Sequence, residues 1–581
     1  MIPKFGLKTI LLTAGVLASW RIFRDRLVYF GLSKGLILYA VLFACSIAAL
    51  IAASLIKGRL PRYFCALMLA GATFVGVSFS YAASTDWTYF DFITLVDARS
   101  ASVDVSKMYT HSLVIGVVAG LFILLGIGLK PKKQLKSSLS LTWVLPPAFA
   151  FSLSGMLFLR DGEGVGGLPP AWSGFSYMSL YAYENLQGRG GKRQAVILQR
   201  VSKPLTRDII LIVDESVAGQ YLDTGSSTGV RSGLVDPVNR KVQIFNYGLA
   251  TSITNCSMGS NVTLRFGGTR NEYQNIISTM PSIWNYAHAA GLKTVHIYAQ
   301  RGNRNQNYMT NAEREDIDHS ILLGNVPDID RDQRVADILA NFVNNEIPEF
   351  ILVNKMGSHF PVNTSYPKTH SQYHPVLPRS RAWRHGDDSR GNRLSIIADQ
   401  RDWVPYRNSY RNTLTWTVGA FFDRLFLKTS LDQATIIYTS DHGQTFHERG
   451  GSGLTTHCQS SPEIEEGIVP LVVIEGQKTS GVDWTIARKK NHNGMSHFRI
   501  FPTLLHLMGY DRQEISATYG YDLLSSRPDP FTFAAELHLR LGRKPKWIKV
   551  PLDQLRYPDL RDIKTVQINR AETLPHLLGD D

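Results

Sequence analysis

Cysteine is nearly absent from this sequence, four residues in 581, which excludes a scaffold built from disulfides. Acidic residues are also short, 48 Asp and Glu against 62 Lys and Arg, for a formal charge of +14. No tandem period runs through the chain, and that excludes a repeat array or a collagen-like rod. Roughly the first 160 residues lack charge outside a few short loops, while the remainder is polar and carries histidine, asparagine, aspartate and arginine. Neither a uniform soluble globule nor a disordered chain divides this way.

The apolar half reads as membrane spans. Gly35–Ile56, Tyr63–Ala83, Ser112–Leu129 and Leu141–Leu159 each run for about 18–22 residues, the length a helix needs to cross a bilayer. A fifth, Thr9–Trp20, is shorter and must borrow from its flanks. A cleaved signal peptide is the alternative there, given Lys4 and Lys8. Against it, Arg21 follows directly, no small-residue cleavage site stands out, and further spans come after. Lys57, Arg59 and Arg62 fill one loop, and Lys130, Lys132, Lys133 and Lys136 another. Placing both inside leaves Asp86, Asp91, Asp97 and Asp104 outside, with everything after the fifth span. Arg21, Arg24 and Arg26 run against this orientation.

The expected organisation is a five-helix transmembrane domain over 1–160, a linker along the membrane surface over 161–206, a soluble domain over 207–525 and a basic appendage over 526–581. The linker opens rich in glycine and proline and offers a short amphipathic helix at Tyr177–Tyr183. Its Arg189, Lys192 and Arg193 either lean on anionic lipid or a phosphorylated acceptor, or are plain solvated surface. Cys45 and Cys65 sit in spans, and Cys256 and Cys458 either pair or stay as buried thiols.

In the soluble part, apolar runs at Ile209–Val213, Val242–Tyr247, Thr294–Tyr298, Phe350–Val353, Ala434–Tyr438 and Val469–Ile474 read as strands. Helical patterns at Ser282–Ala290, Arg334–Val343, Tyr410–Phe426 and His497–Met508 alternate with them. That order predicts an α/β domain with a central, mostly parallel sheet, whose site lies beyond the C-terminal ends of the strands. Three strand ends deliver metal-type ligands there: Glu215 beside Asp214, the pair Asp441-His442 before Gly443, and His359 after Gly357-Ser358. Oxygen and nitrogen donors from tight turns suit zinc. The stretch Ala250–Ser257 is crowded with hydroxyls and reads as a turn before a helix, one hydroxyl serving as cap.

The sequence resembles the membrane-anchored phosphoethanolamine transferases of Gram-negative bacteria, in the alkaline phosphatase and sulfatase superfamily. The resemblance rests on the five spans and on Ile210–Ser216, Thr254 with Ser257, Lys355–His359, Tyr410–Thr413, Ser440–Gly443, His457, Glu465 and Val469-Pro470. It implies a sulfatase-like fold in which Glu215, Thr254, Asp441 and His442 hold one catalytic zinc, with a second ion possible. Thr254 would be the nucleophile, and His359 and His457 would contact the phosphoryl group. Zinc lowers the pKa of bound water from 15.7 to about 7, on the order of 12 kcal/mol, enough to activate a hydroxyl without a separate base. The donor implied is phosphatidylethanolamine, the acceptor lipopolysaccharide or another surface glycan, and the place the bacterial inner membrane with the catalytic domain in the periplasm. Membrane lipids are partners; nucleic acid is not. Asp214, Gln444 and His447, a rival to His457, depart from the family pattern.

Four other readings compete. Phosphoglycerol transfer from phosphatidylglycerol would use the same anchor and site. Sulfate ester hydrolysis needs a Cys/Ser-x-Pro-x-Arg motif, and Cys256–Ser260 has neither proline nor arginine in place. A non-enzymatic scaffold with a degenerate domain predicts lost ligands, yet Glu215, Thr254, Asp441 and His442 are all present. Transport finds few ionisable groups within the spans.

Overall fold

The computed structural model describes residues 4–30, 34–83, 86–97, 110–131, 139–160, 164–186, 193–239, 241–300, 309–379, 403–450, 456–459, 461–478, 480–535, 545–559 and 564–565. The chain divides into two compact units, the first built on residues 1–189 and the second on 190–382, 399–451 and 456–581.

In the first unit three helices are long and apolar enough to cross a membrane, Lys34–Ser54, Arg59–Ala82 and Thr110–Gly128, and two shorter apolar helices cover Gly6–Leu17 and Val144–Leu159. Small residues let them approach closely, as helices do where no water drives their association. A Cβ on Gly116 would run into Ser78 and into the Phe74 carbonyl, and one on Gly126 would meet Leu12 at 2.7 Å. Helix ends meet in two clusters. At one, Lys8 Nζ donates to the carbonyls of Ser54 (2.7 Å) and Leu129 (2.6 Å), and Arg62 Nε to Gly128 (3.1 Å). These cations satisfy terminal carbonyls and oppose the negative ends of two helix dipoles. At the other, Asp86 takes the Gly167 N–H (2.5 Å) and lies 3.7 Å from Arg26, while Tyr39 donates to the Gly167 carbonyl (2.8 Å). Arg21 lies over Tyr81 and Arg24 over Trp20. The segment expected as an irregular linker holds a 17-residue helix, Pro170–Leu186. Its Tyr177 packs edge-on against Trp87 at 5.2 Å and donates to the Trp87 carbonyl, so this side chain is core of the unit, while Tyr183 is exposed.

The second unit is organised on one eight-stranded sheet, in the order β4-β3-β5-β1-β7-β8-β2-β9. The strands are β1 (Asp208–Asp214), β2 (Gln243–Thr251), β3 (Lys293–Tyr298), β4 (His319–Leu322), β5 (Glu349–Asn354), β7 (Ala434–Ser440), β8 (Ile468–Glu475) and β9 (Met495–Ser496). A two-residue β6 (Tyr373–His374) pairs with β12 (Lys564–Thr565) outside it. The sheet is mixed: β8 is antiparallel to both its neighbours, and every other pairing is parallel. β1, β5, β7 and β8 are buried along their whole length, which is why they read as unbroken apolar runs. The helix expected at Tyr410–Phe426 is three pieces in line, Trp403–Leu414, a wide turn over Thr415–Ala420 and Phe421–Lys428.

Two expectations change here. Part of the basic appendage is structural: β10 (Thr532–Ala534) pairs antiparallel with β11 (Trp547–Lys549), and Phe531, Phe533, Val550 and Leu555 form a small core with Leu249 and Ile468. Arg193 is no lipid-facing charge. Its guanidinium donates to the carbonyls of Ile277 and Met280 and lies 3.8 Å from the centre of the Phe266 ring. Arg189 and Lys192 lie outside the described residues.

The turn leaving β5 generates a test. Gly357 has φ +58°, and a Cβ there would meet the Glu215 backbone O at 2.5 Å and N at 2.6 Å. Gly357→Ala should therefore lower the thermal midpoint of the full chain in detergent, by an amount matching a cost of about 1–3 kcal/mol for the backbone conformation plus the clash. An unchanged midpoint would show that this turn is not held against Glu215.

Candidate active site

The parallel register brings the ligands together. Asp214 of β1 sits opposite Ser440 of β7, so Glu215 and Asp441 leave the sheet side by side, and the Asp441 N–H still donates to the Asp214 carbonyl at 2.9 Å. Glu215, Asp441 and His442 offer ligand atoms that all lie within 4.8 Å of one another, and all three are buried. His442 Nδ1 donates to the Gly443 carbonyl (2.7 Å), which turns Nε2 toward Glu215 Oε1 at 3.5 Å. Gly443 is needed at this turn: a Cβ would run into the carbonyls of Glu465 and Ile468.

These residues fit a zinc-type cation. Asp441 Oδ2 is buried and finds no hydrogen-bond partner among the described residues, a costly state for a carboxylate oxygen unless a cation sits against it. Two carboxylate oxygens and one imidazole nitrogen are donors zinc accepts. The local charges tell the same story. Burial, then the charge of Glu215, pushes the Asp441 carboxyl up. Burial also works against ionised Glu215, but the hydrogen bond and charge of His442 outweigh it and hold that carboxyl well below the usual range.

Two hydroxyls reach this cluster: Ser216 Oγ donates to Glu215 Oε1 at 2.9 Å, and Ser257 touches both Glu215 and His442. Ser257 Oγ lies 3.1 and 3.3 Å from the two Glu215 oxygens and 3.2 Å from His442 Nε2. Ser257 is the first residue of the helix Ser257–Phe266, capped by Cys256, so the positive end of that helix faces the same spot. Thr254, expected both as ligand and as nucleophile, is elsewhere. Its hydroxyl donates to the Cys256 carbonyl (2.7 Å) and lies 3.3 Å from Ser260, and the residue forms an isolated bridge with Ala534. The cause is local. β2 runs to Thr251, and a short turn carries the chain past Thr254 before the helix begins.

His457 stacks on His442, ring centres 4.5 Å apart and 19° from parallel. Burial and the neighbouring His442 lower its pKa, which keeps it neutral. His359 Nδ1 donates to the Phe360 carbonyl. Of the two expected histidines, His457 stands against the cluster through its stack on His442. The rival His447 packs on the Trp403 ring instead, centres 4.5 Å apart. Gln300 is an unforeseen member, its Nε2 donating to Glu215 Oε2 at 2.9 Å. It stands just past the end of β3, where the strand-end rule could have found it. Asp214 points away from the site. It pairs with the fully buried Lys355 at 2.9 Å and accepts from Tyr438 at 2.8 Å, while Lys355 also donates to the Thr417 carbonyl and lies over the Phe421 ring.

Cys256 and Cys458 are joined by a disulfide spanning 202 residues of sequence. In the chain-entropy picture a loop of that length removes about 5 kcal/mol of freedom from the unfolded chain.

Known proteins share this architecture. Over 89% of this chain and 98% of its own, the integral membrane protein lipooligosaccharide phosphoethanolamine transferase A from Neisseria meningitidis is similar, at 15% identity and a TM-score of 0.62. The C-terminal periplasmic domain of EcEptC from Escherichia coli, in complex with zinc, is similar over 64% of this chain and 99% of its own, at 15% identity and a TM-score of 0.47. No curated protein matches the chain. The sulfatase family model matches residues 207–510, just over half of the chain. That span holds the central sheet together with Glu215, Ser257, His359, Asp441, His442 and His457, and the chain belongs to the sulfatase family.

Proposed function

We propose that this protein transfers phosphoethanolamine from phosphatidylethanolamine to a lipid-linked or surface glycan in two steps, through a phosphoserine-type intermediate at Ser257. The observation that carries the reading is the Ser257 hydroxyl set within 3.1–3.3 Å of Glu215 and His442, at the edge of a ligand cluster. Glu215, Asp441 and His442 would hold one zinc. Bound there, zinc supplies Lewis acidity that lowers the pKa of a hydroxyl and offsets charge developing on phosphoryl oxygens.

The chain's own groups do the rest. Ser257 Oγ forms a bond to phosphorus as the bond from phosphorus to the diglyceride oxygen breaks. The imidazoles of His359 and His457 carry the serine proton to the departing oxygen. In the second step they take the proton from the acceptor hydroxyl and return it to Ser257, so the proton count closes. The positive end of the Ser257–Phe266 helix favours the added negative charge.

The first unit suits a lipid donor. Five spans with the basic loops inside account for the two clusters of helix ends: Lys8, Arg62, Ser54 and Leu129 at the cytoplasmic face, Arg26, Asp86 and Gly167 at the outer face. Pairing with Asp86 and stacking on Tyr81 then explain how Arg26 and Arg21 stand on the outer side. Anchoring in the inner membrane, with the second unit in the periplasm, raises the local donor concentration.

Peptide mass spectrometry of the full-length protein in vesicles of phosphatidylethanolamine and phosphatidylglycerol tests the reading. A phosphoethanolamine adduct on the Ser257 peptide is expected, and a phosphoglycerol adduct would replace the donor assignment. Ser257→Ala should abolish the adduct, whereas Thr254→Ala should keep at least about a tenth of the rate, having lost only a buried hydrogen bond. The opposite pattern would return the nucleophile to Thr254. Asp441→Asn and Glu215→Gln should each reduce zinc per chain at least about tenfold by elemental analysis. Full zinc content in both would remove these residues from the site.

A further inference from the structure

The Cys256–Cys458 disulfide does more than shorten the unfolded chain. Cys256 precedes Ser257, and Cys458 follows His457, so one covalent link runs from the attacking hydroxyl's residue to the imidazole's residue across 202 positions of sequence. Hydrogen bonds double it. The Cys458 N–H donates to the Asn255 carbonyl (2.9 Å), and Asn255 Nδ2 donates to the Gln459 carbonyl (2.9 Å). Glu466, wholly buried, closes the arrangement from behind: it accepts from Asn255 Nδ2 (2.8 Å) and from Gln459 Nε2 (2.9 Å). Its backbone carbonyl takes the Gly443 N–H (2.9 Å), and the Gly443 carbonyl in turn takes His442 Nδ1 (2.7 Å).

Glu215 and Asp441 leave the sheet directly at the ends of β1 and β7, and His442 follows Asp441 with its ring held by the Gly443 carbonyl, so the disulfide is not what places them. His457 is different. It lies in the long connection between β7 and β8, tied by its stack on His442 and a contact with Thr456. We propose that Cys256, Cys458 and Glu466 are positioning residues that hold His457 in register with Ser257, and that the disulfide thereby sets the rate of phosphoryl transfer without contributing to metal binding. The proposal rests on the assignment of Ser257 and His457 made above. Its physical basis is the tolerance of such chemistry: a misplacement of about 1 Å costs on the order of a hundredfold in rate.

The test uses full-length protein in phosphatidylethanolamine vesicles, oxidised or reduced with the phosphine TCEP, and reads the rate of adduct formation at Ser257 together with zinc content. Reduction should slow the adduct about 10–100-fold, leave zinc unchanged, and be reversed by oxidised glutathione. Cys458→Ser should reproduce the effect, and Glu466→Gln, which keeps the shape, should slow the reaction less than Glu466→Ala. In a His457→Ala background, reduction should cost less than about twofold, since the group being positioned is gone. An undiminished rate on reduction, loss of zinc in parallel with rate, or a full extra loss in the His457→Ala background would each overturn the positioning role. A separate readout needs no turnover: modification of His457 by diethylpyrocarbonate should speed up severalfold on reduction, and an unchanged rate of labelling would sink the inference. If the oxidised wild type forms no adduct while His457 labelling still responds to TCEP, the assigned chemistry has failed and the positioning has not.

Discussion

Burying two carboxylates side by side is the constraint from which the rest of the site follows. Glu215 and Asp441 emerge from adjacent parallel strands in matched register, with His442 next to them, in a space 4.8 Å across. Such a grouping favours a cation or a proton between the carboxylates, because each negative charge raises the cost of the other in a dry setting. The surroundings are arranged to tolerate that state. Gln300 donates to Glu215, the Ser216 N–H donates to Asp441 Oδ1, and a helix points its positive end at the same place. The layer beneath carries its own compensation, with Asp214 and Asp332 both facing the buried Lys355 ammonium. Site and support are kept apart by strand alternation: Asp214 and Glu215 are neighbours in sequence and face opposite ways.

On the function proposed above, the two units divide the labour of a lipid-linked reaction. Close glycine contacts and capped helix ends make the first unit self-consistent as a membrane body. The second carries every group assigned to chemistry. Some of its buried charges are paired, such as Arg265 with Glu313, while buried Glu466 is held by the amides of Asn255 and Gln459. A chain with 62 basic residues can therefore be strongly cationic overall while holding an acidic site.

Much of this was legible in the sequence, for identifiable reasons. β1 and β7 are buried on both faces and show as unbroken apolar runs, and the strand-end rule then led to Glu215, Asp441, His442 and His359. The resemblance points to Thr254, whereas the geometry favours Ser257, three residues on in a stretch rich in hydroxyls. Only the point where β2 stops and the helix starts decides which hydroxyl reaches the cluster, and element ends are the least legible part of a sequence. Of the helix Pro170–Leu186 only Tyr177–Tyr183 is legible, because the glycines and prolines just before it mark the turn into it and mask its start. The disulfide was open because two cysteines 202 residues apart carry no sign of their distance in space. Arg193 misled for a simpler reason: composition cannot tell a guanidinium folded over Phe266 from one in water.

The reversed strand β8 has a consequence for how such a domain can diversify. β7 and β8 are antiparallel neighbours, so the chain between them leaves and re-enters the sheet at one edge, the edge that bears the ligands. Asp441 and His442 open that excursion, and Glu466 closes it. An insertion between those anchors moves no strand and shifts no register. It costs only loop closure, which grows by about 0.6 kcal/mol for each doubling of length. On the proposed function, the parts of this connection on either side of His457 and Cys458 are where acceptor recognition can be rewritten while the disulfide keeps the reacting atoms in place.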